Sequence, residues 1–92
     1  MADATPPGLD ALMEFPADFT FRVIAAHSET LIQDAEGHVQ RALSRDVVAV
    51  SHAASRGGKW TSVRITARVE SIEEVYAAYE ALRALPRIKL LL

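Results

Sequence analysis

Residues 47–69 read VVAVSHAASRGGKWTSVRITARV, and this stretch decides the fold. Two runs of alternating apolar and polar residues flank Gly57-Gly58, and glycine supplies the positive φ that tight hairpin turns need. A two-residue loop at these glycines pairs Arg56 with Lys59, His52 with Val63 and Val50 with Ile65. Directly paired residues share a face of the sheet. Val48, Val50, His52 and Ala54 therefore join Thr61, Val63, Ile65 and Ala67 on the side expected to face the core. A loop one residue longer would turn the first strand over. The spacing thus predicts strands over residues 47–55 and 59–69.

Reading outward from the hairpin, residues 15–26 form another strand. There Phe19, Phe21, Val23 and Ala25 alternate with Thr20, Arg22, Ile24 and Ala26. Ser28 offers a helix N-cap. From it to about Ser44 the residues Leu31, Ala35, Val39 and Ala42 fall on one stripe with Ile32 and Leu43 beside it, as in an amphipathic helix. Its acids come early (Glu29, Asp34, Glu36) and its bases late (Arg41, Arg45), which suits the helix dipole. Gly37 in its middle has no local reason. Beyond the hairpin, Ser71-Ile72-Glu73-Glu74 is a capping box, Glu74 reaching back to the cap. A second helix follows, with Ile72, Val75, Tyr76, Tyr79 and Leu82 on one face, ended by Pro86. Residues 88–92 form a last strand with Ile88, Leu90 and Leu92 inward.

The order is β-α-β-β-α-β. Two β-α-β halves joined by a hairpin give an α+β ferredoxin-like sandwich: a four-stranded antiparallel sheet with two helices on one face. Residues 1–14, with Thr5-Pro6-Pro7-Gly8, read as a flexible tail, and residues 15–92 as a single domain. Leu9, Leu12 and Met13 are candidates for packing loosely on that domain.

The 92 residues are half hydrophobic and 24% charged, an ordinary globular balance. The chain has no cysteine, which excludes disulfides, thiolate metal ligation and cysteine nucleophiles. Its start has neither the basic nor the apolar region of a secretory signal, and no apolar run nears the roughly 20 residues that span a bilayer. A cytoplasmic location is expected, with no membrane association. Net charge is −2, but unevenly placed. Residues 1–36 carry seven acids and one base, Arg22; residues 37–92 carry five acids and nine bases. Such an excess can steer an anionic partner.

With these pieces placed, the sequence resembles the YbeD-like family of small bacterial proteins of unknown function. The residues that carry the likeness are Phe15-Pro16 with Phe19-Thr20-Phe21-Arg22-Val23, then Ser55, Gly58-Lys59-Trp60, Ser62-Val63-Arg64-Ile65, and the final Ile88-Lys89-Leu90-Leu91-Leu92. The likeness covers residues 14–92. It departs at Ala25-Ala26, where the family tends to place glycine. The resemblance implies a ferredoxin-like fold similar to the ACT regulatory domains that bind amino acids and pair into dimers. It also implies a link to lipoate or amino-acid metabolism, and it brings no catalytic residue.

No constellation for catalysis stands out, so the chain is read as a non-enzyme without cofactor or metal. His38 and Asp34 sit one helical turn apart, but a metal site needs a third ligand, and an exposed helical pair is the simpler reading. His52 is expected as a packed or rim histidine of a strand. Ser62 has no evident base and no nucleophile elbow. Ser55-Arg56-Gly57-Gly58-Lys59 leads into a strand rather than a helix, unlike a phosphate-binding loop.

Strand parity places Thr20, Arg22, Ile24, Trp60, Ser62, Arg64, Thr66, Arg68, Lys89 and Leu91 on the sheet face without helices. The candidate binding residues are Arg22, Trp60, Arg64, Arg68 and Lys89. Guanidinium groups suit carboxylate or phosphate, so one reading is a surface for an acidic protein or a small anionic ligand. A second is that long side chains simply keep a sheet soluble. A third is a homodimer packed sheet to sheet. The alternative function is an RNA-binding module, which shares this element order and reads bases with aromatic side chains on its first and third strands. One tryptophan is a poor stacking platform, and a pI near 5.9 argues against nucleic acid.

Overall fold

The computed structural model describes residues 14–92 of the chain; the expected tail, with Leu9, Leu12 and Met13, falls almost wholly outside them. The elements are β1 (Ala17–Ala26), α1 (Leu31–Leu43), β2 (Ala49–Ala54), β3 (Trp60–Val69), α2 (Ile72–Arg83) and β4 (Ile88–Leu91). The strands form one antiparallel sheet in the order β2-β3-β1-β4. This is the expected ferredoxin-like arrangement. Each boundary lies within one to three residues of its expected place. β1 begins after the cis Phe15–Pro16 bond rather than at Phe15.

The hairpin register is the one read from the sequence: Val50 pairs with Ile65 and His52 with Val63. The loop itself is longer. Ser55 N–H donates to Trp60 O at 2.8 Å, Gly58 N–H turns back to Ser55 O at 2.8 Å, and Ser55 Oγ accepts from Trp60 N–H at 3.0 Å. Arg56 and Lys59 therefore belong to a four-residue loop and do not pair. Lengthening the loop by two residues keeps the pairing parity, so the facing of both strands is unchanged. Gly57 and Gly58 take φ of +86° and +74°, and a Cβ built on either meets nothing within 4 Å. Gly57→Ala is thus expected to cost only the left-handed backbone penalty, about 1–2 kcal/mol. A urea titration checks this, and an unchanged midpoint would contradict it.

The core lies between the sheet and the helices. Phe21, Val23 and Ala25 from β1 and Val63, Ile65, Ala67 and Val69 from β3 are fully buried. Leu31, Ala35, Val39 and Leu43 of α1 and Val75, Ala78 and Leu82 of α2 close over them. Phe19, Phe21 and Tyr79 form an aromatic cluster with ring centroids 4.8–6.1 Å apart. A Cβ on Gly37 would lie 3.2 Å from an Arg41 guanidinium nitrogen, the far end of an exposed side chain that can swing aside.

Four side-chain placements differ from expectation. His52 and Ala54 are exposed because β2 is an edge strand lying beyond the cover of the helices, and Val48, 58% exposed, precedes β2 with its N–H bonded to Thr66 O, the residue opposite Ala49. Tyr76 is exposed at 55%; Ala78 takes the buried position on the α2 stripe. Ser28 does not cap α1, which begins two residues later behind Thr30, and Thr30 makes no side-chain cap bond. The fourth is in β4. Its pairing with β1 slips by one residue between Ile24 and Ala25, so that Leu90 opposes Ile24 while Ile88 opposes Ala25. The bulge reverses facing along the strand. Leu91 turns to the core, and Leu90 and Leu92 turn out, 44% and 52% exposed.

The α2 cap holds two groups at once. Ser71 Oγ accepts from Glu74 N–H at 3.3 Å, as the capping box requires. The Glu74 carboxylate accepts from Glu70 N–H at 2.8 Å rather than from the cap residue, and it also receives both Arg45 guanidinium nitrogens at 2.7 and 3.0 Å. Arg45 follows α1, so this pair latches the end of one helix to the start of the other.

Candidate functional site

The sheet face opposite the helices is built from the outward positions of all four strands. At its centre Arg22 of β1 lies directly opposite Arg64 of β3. Arg64 is in turn opposite Ser51 of β2. One step along, Ile24 opposes Ser62, and Ser62 opposes Ala53. On the other flank Leu92 exchanges both backbone hydrogen bonds with Arg22, at 2.9 and 2.8 Å. Leu90 sits beside it, opposite Ile24. The face is therefore polar and cationic toward β2 and apolar toward β4.

Two like charges directly opposite each other on a sheet repel and cost stability. Nothing among the described residues neutralises this pair, since neither arginine takes part in a salt bridge. Arg22 Nε is buried without a hydrogen-bond partner, an arrangement with its own desolvation cost. Arg22, Arg64, Ser51, Ser62, His52 and Ala53 line a concavity of about 250 Å³. Its two guanidinium groups and two hydroxyls suit a carboxylate or phosphate, which accepts hydrogen bonds from all of them.

The five residues singled out in the sequence do not form one patch. Arg22 and Arg64 come together. Arg68 lies 3.7 Å from Asp18, across the β1–β3 pairing. Trp60 has two cations over its ring, Lys89 Nζ at 4.8 Å and Lys59 Nζ at 5.7 Å from the centroid. Such stacking uses the ring's negative face and leaves a nucleobase little of it. Leu91, expected on this face, is on the other. Ser51, Ala53, Leu90 and Leu92 are absent from the outward set read from the sequence. Ser51 was legible in the hairpin register, while Leu90 and Leu92 depended on the bulge.

A larger concavity of about 490 Å³ lies between α2 and β4, lined by Tyr76, Tyr79, Glu80, Arg83, Leu91 and Leu92. Its two charged side chains, Glu80 and Arg83, bond to each other. Burial pushes the Tyr79 hydroxyl above its ordinary pKa and keeps it neutral. The smaller concavity holds Arg22 and Arg64, neither of them in a salt bridge among the described residues. His38 Nδ1 lies 3.1 Å from an Arg41 guanidinium nitrogen, and the described residues hold no cluster of three or more side chains able to ligate a metal. His27 Nδ1 lies 3.0 Å from Thr61 Oγ1. No helix among the described residues is long and apolar enough to cross a membrane.

Comparison with known proteins places the chain. A UPF0250 protein of Shewanella woodyi is 36% identical over 80 residues, covering 87% of this chain and 90% of that protein. A UPF0250 protein of Haemophilus influenzae is 32% identical over 84 residues, 91% of this chain and 90% of that one. The solution structure of protein HP0495 from H. pylori superposes with a TM-score of 0.74 at 16% identity, over 98% of this chain and 91% of that one. That likeness supports the ferredoxin-like fold. A family model described as a protein of unknown function, DUF493, matches residues 10–92. The chain belongs to DUF493, and its relatives are the small bacterial UPF0250 proteins of YbeD type.

Proposed function

We propose that this domain is a non-catalytic regulatory or interaction module whose open sheet face receives an anionic group, from a small ligand or from an acidic protein. The observation that carries this is the Arg22–Arg64 pair. The two arginines are direct partners in the β1–β3 register, and neither takes part in a salt bridge among the described residues. A fold that tolerates such repulsion gains stability when an anion bridges it. The exposed Leu90 and Leu92 beside Arg22 give the same face an apolar flank. That combination fits a ligand or partner surface with both a charge and an apolar part. The likeness to ACT regulatory domains, and the association with lipoate or amino-acid metabolism, make carboxylates the first ligands to try.

The test compares the wild type with the Arg22→Gln/Arg64→Gln double variant. A thermal-shift series with free amino acids, octanoate, lipoate and inorganic phosphate is expected to raise the wild-type midpoint in at least one case, because a ligand that binds only the folded state stabilises it. The double variant is expected to remain folded, with an equal or higher midpoint of its own, and to lose the ligand shift. Protein partners captured from the native cell should likewise be lost. Equal ligand shifts and equal capture in both proteins would refute the reading.

A further inference from the structure

The two edges of the sheet are treated differently. β4 is four residues long, bulged and carries Lys89, the devices by which proteins block strand addition. β2 has the sequence AVSHAA: six residues in unbroken register, with no Lys, Arg, Asp, Glu or Pro and no bulge. Ser55 N–H bonds to Trp60 O, so in the alternating antiparallel pattern Ala53, Ser51 and Ala49 turn their backbone groups to β3. Val50, His52 and Ala54 turn theirs to the free edge, where no described strand meets them. The helices leave this edge uncovered from below, with Val48 exposed and Val50 half-buried.

We infer that β2 is the docking edge for an extended segment of an acidic partner, in which acidic and apolar residues alternate. This rests on the anion-binding reading of the open face and names the form its partner takes. An added strand would present every second side chain to each face of the sheet. On the open face, only the small side chains Ala49, Ser51 and Ala53 stand between it and the cations. Strands about 4.8 Å apart put the added strand roughly 10 Å from β3. An extended Arg64 and a glutamate close that gap between them, passing over Ser51. On the helix face, the alternate side chains meet the half-buried Val50, so apolar residues fit there. A second copy of this chain fits less well, because its own β2 would bring Ala49, Ser51 and Ala53 to the open face and leave the arginines without a counter-charge.

The probe is the capped heptapeptide Val-Glu-Val-Glu-Val-Glu-Val, titrated into the full-length, isotope-labelled chain and followed by NMR. The expected result is saturable shifts of the Val50, His52 and Ala54 amides, with hydrogen exchange at those amides slowed by about tenfold or more at saturation. Ser51→Glu, at an exposed position, sets a carboxylate before Arg64. It should weaken binding by about tenfold or more while leaving the rest of the spectrum unchanged. A peptide with lysine in place of glutamate should not bind. Shifts confined to the surroundings of Arg22 and Arg64, with the β2 amides unmoved, would overturn the edge inference and leave the anion site standing. No shift anywhere at millimolar peptide would overturn both. β2 amides protected without peptide would give the edge to another occupant and overturn the inference; doubled mass would identify a second copy, and single mass this chain's own residues 1–13.

Discussion

Phe21→Ala is expected to destabilise the domain by about 3–5 kcal/mol, the usual cost of removing a fully buried aromatic side chain. Phe21 is fully buried on β1, opposite Ile65, with the Phe19 ring 4.8 Å and the Tyr79 ring 5.1 Å away. The tilted and edge-on ring arrangements add to simple burial. Truncation removes the member that both other rings touch, and the sheet beneath them cannot collapse into the gap because its backbone is fixed by pairing with β3. Small domains hold a net stability of only about 5–15 kcal/mol, so the variant should be largely unfolded at moderate urea. The fall in urea midpoint measures this. A loss under about 1 kcal/mol would mean that α2 closes the space, against the packing described.

The second large effect is expected in acid. The Arg45 guanidinium, by its hydrogen bonds, holds the Glu74 carboxyl below the ordinary carboxylate range, with the Glu70 N–H acting in the same direction against desolvation. The same bond raises Arg45 further above its already high value, so only Glu74 titrates in the usable range. A carboxylate whose folded pKa is depressed contributes stability at neutral pH. That contribution falls as the pH drops below the unfolded value of about 4.3 and is gone below the folded one. Glu74→Gln removes the titration and keeps the size. It should be less stable than the wild type at pH 7, with the gap between the two urea midpoints narrowing as the pH is lowered below the ordinary carboxylate range. Other carboxylates titrate alike in both proteins and cancel in the difference. A gap that stays constant with pH would show that the charge of Glu74 is not what latches α1 to α2.

The cationic site shows the division between sequence and fold on a smaller scale. Arg22 and Arg64 are 42 positions apart in the chain, yet strand parity alone put them on one face, and the pairing of β1 with β3 made them direct neighbours. Arg68 and Lys89 shared that parity. Their partners, Asp18 and the Trp60 ring, came from strand pairing and from the turn of β4, which parity does not include.

The amino-acid sequence by itself determined whatever depends on period and on turn chemistry. The order of the elements, the register of the β2–β3 hairpin and the facing of β1 and β3 follow from alternation around two glycines, and that register survived a longer loop because parity did. The stripe of α1 follows from a period of 3.6. Tertiary structure alone decided which alternating positions are covered. β2 carries the same inward pattern as β3, yet two helices span the middle of a four-stranded sheet and leave its edge bare, so His52 and Ala54 meet solvent. It also decided the bulge, which exists only in the pairing of β4 with β1 and sends Leu90 and Leu92 to the open face. Local sequence sets the direction of a side chain relative to its own strand. What that side chain meets is set by the element packed against it.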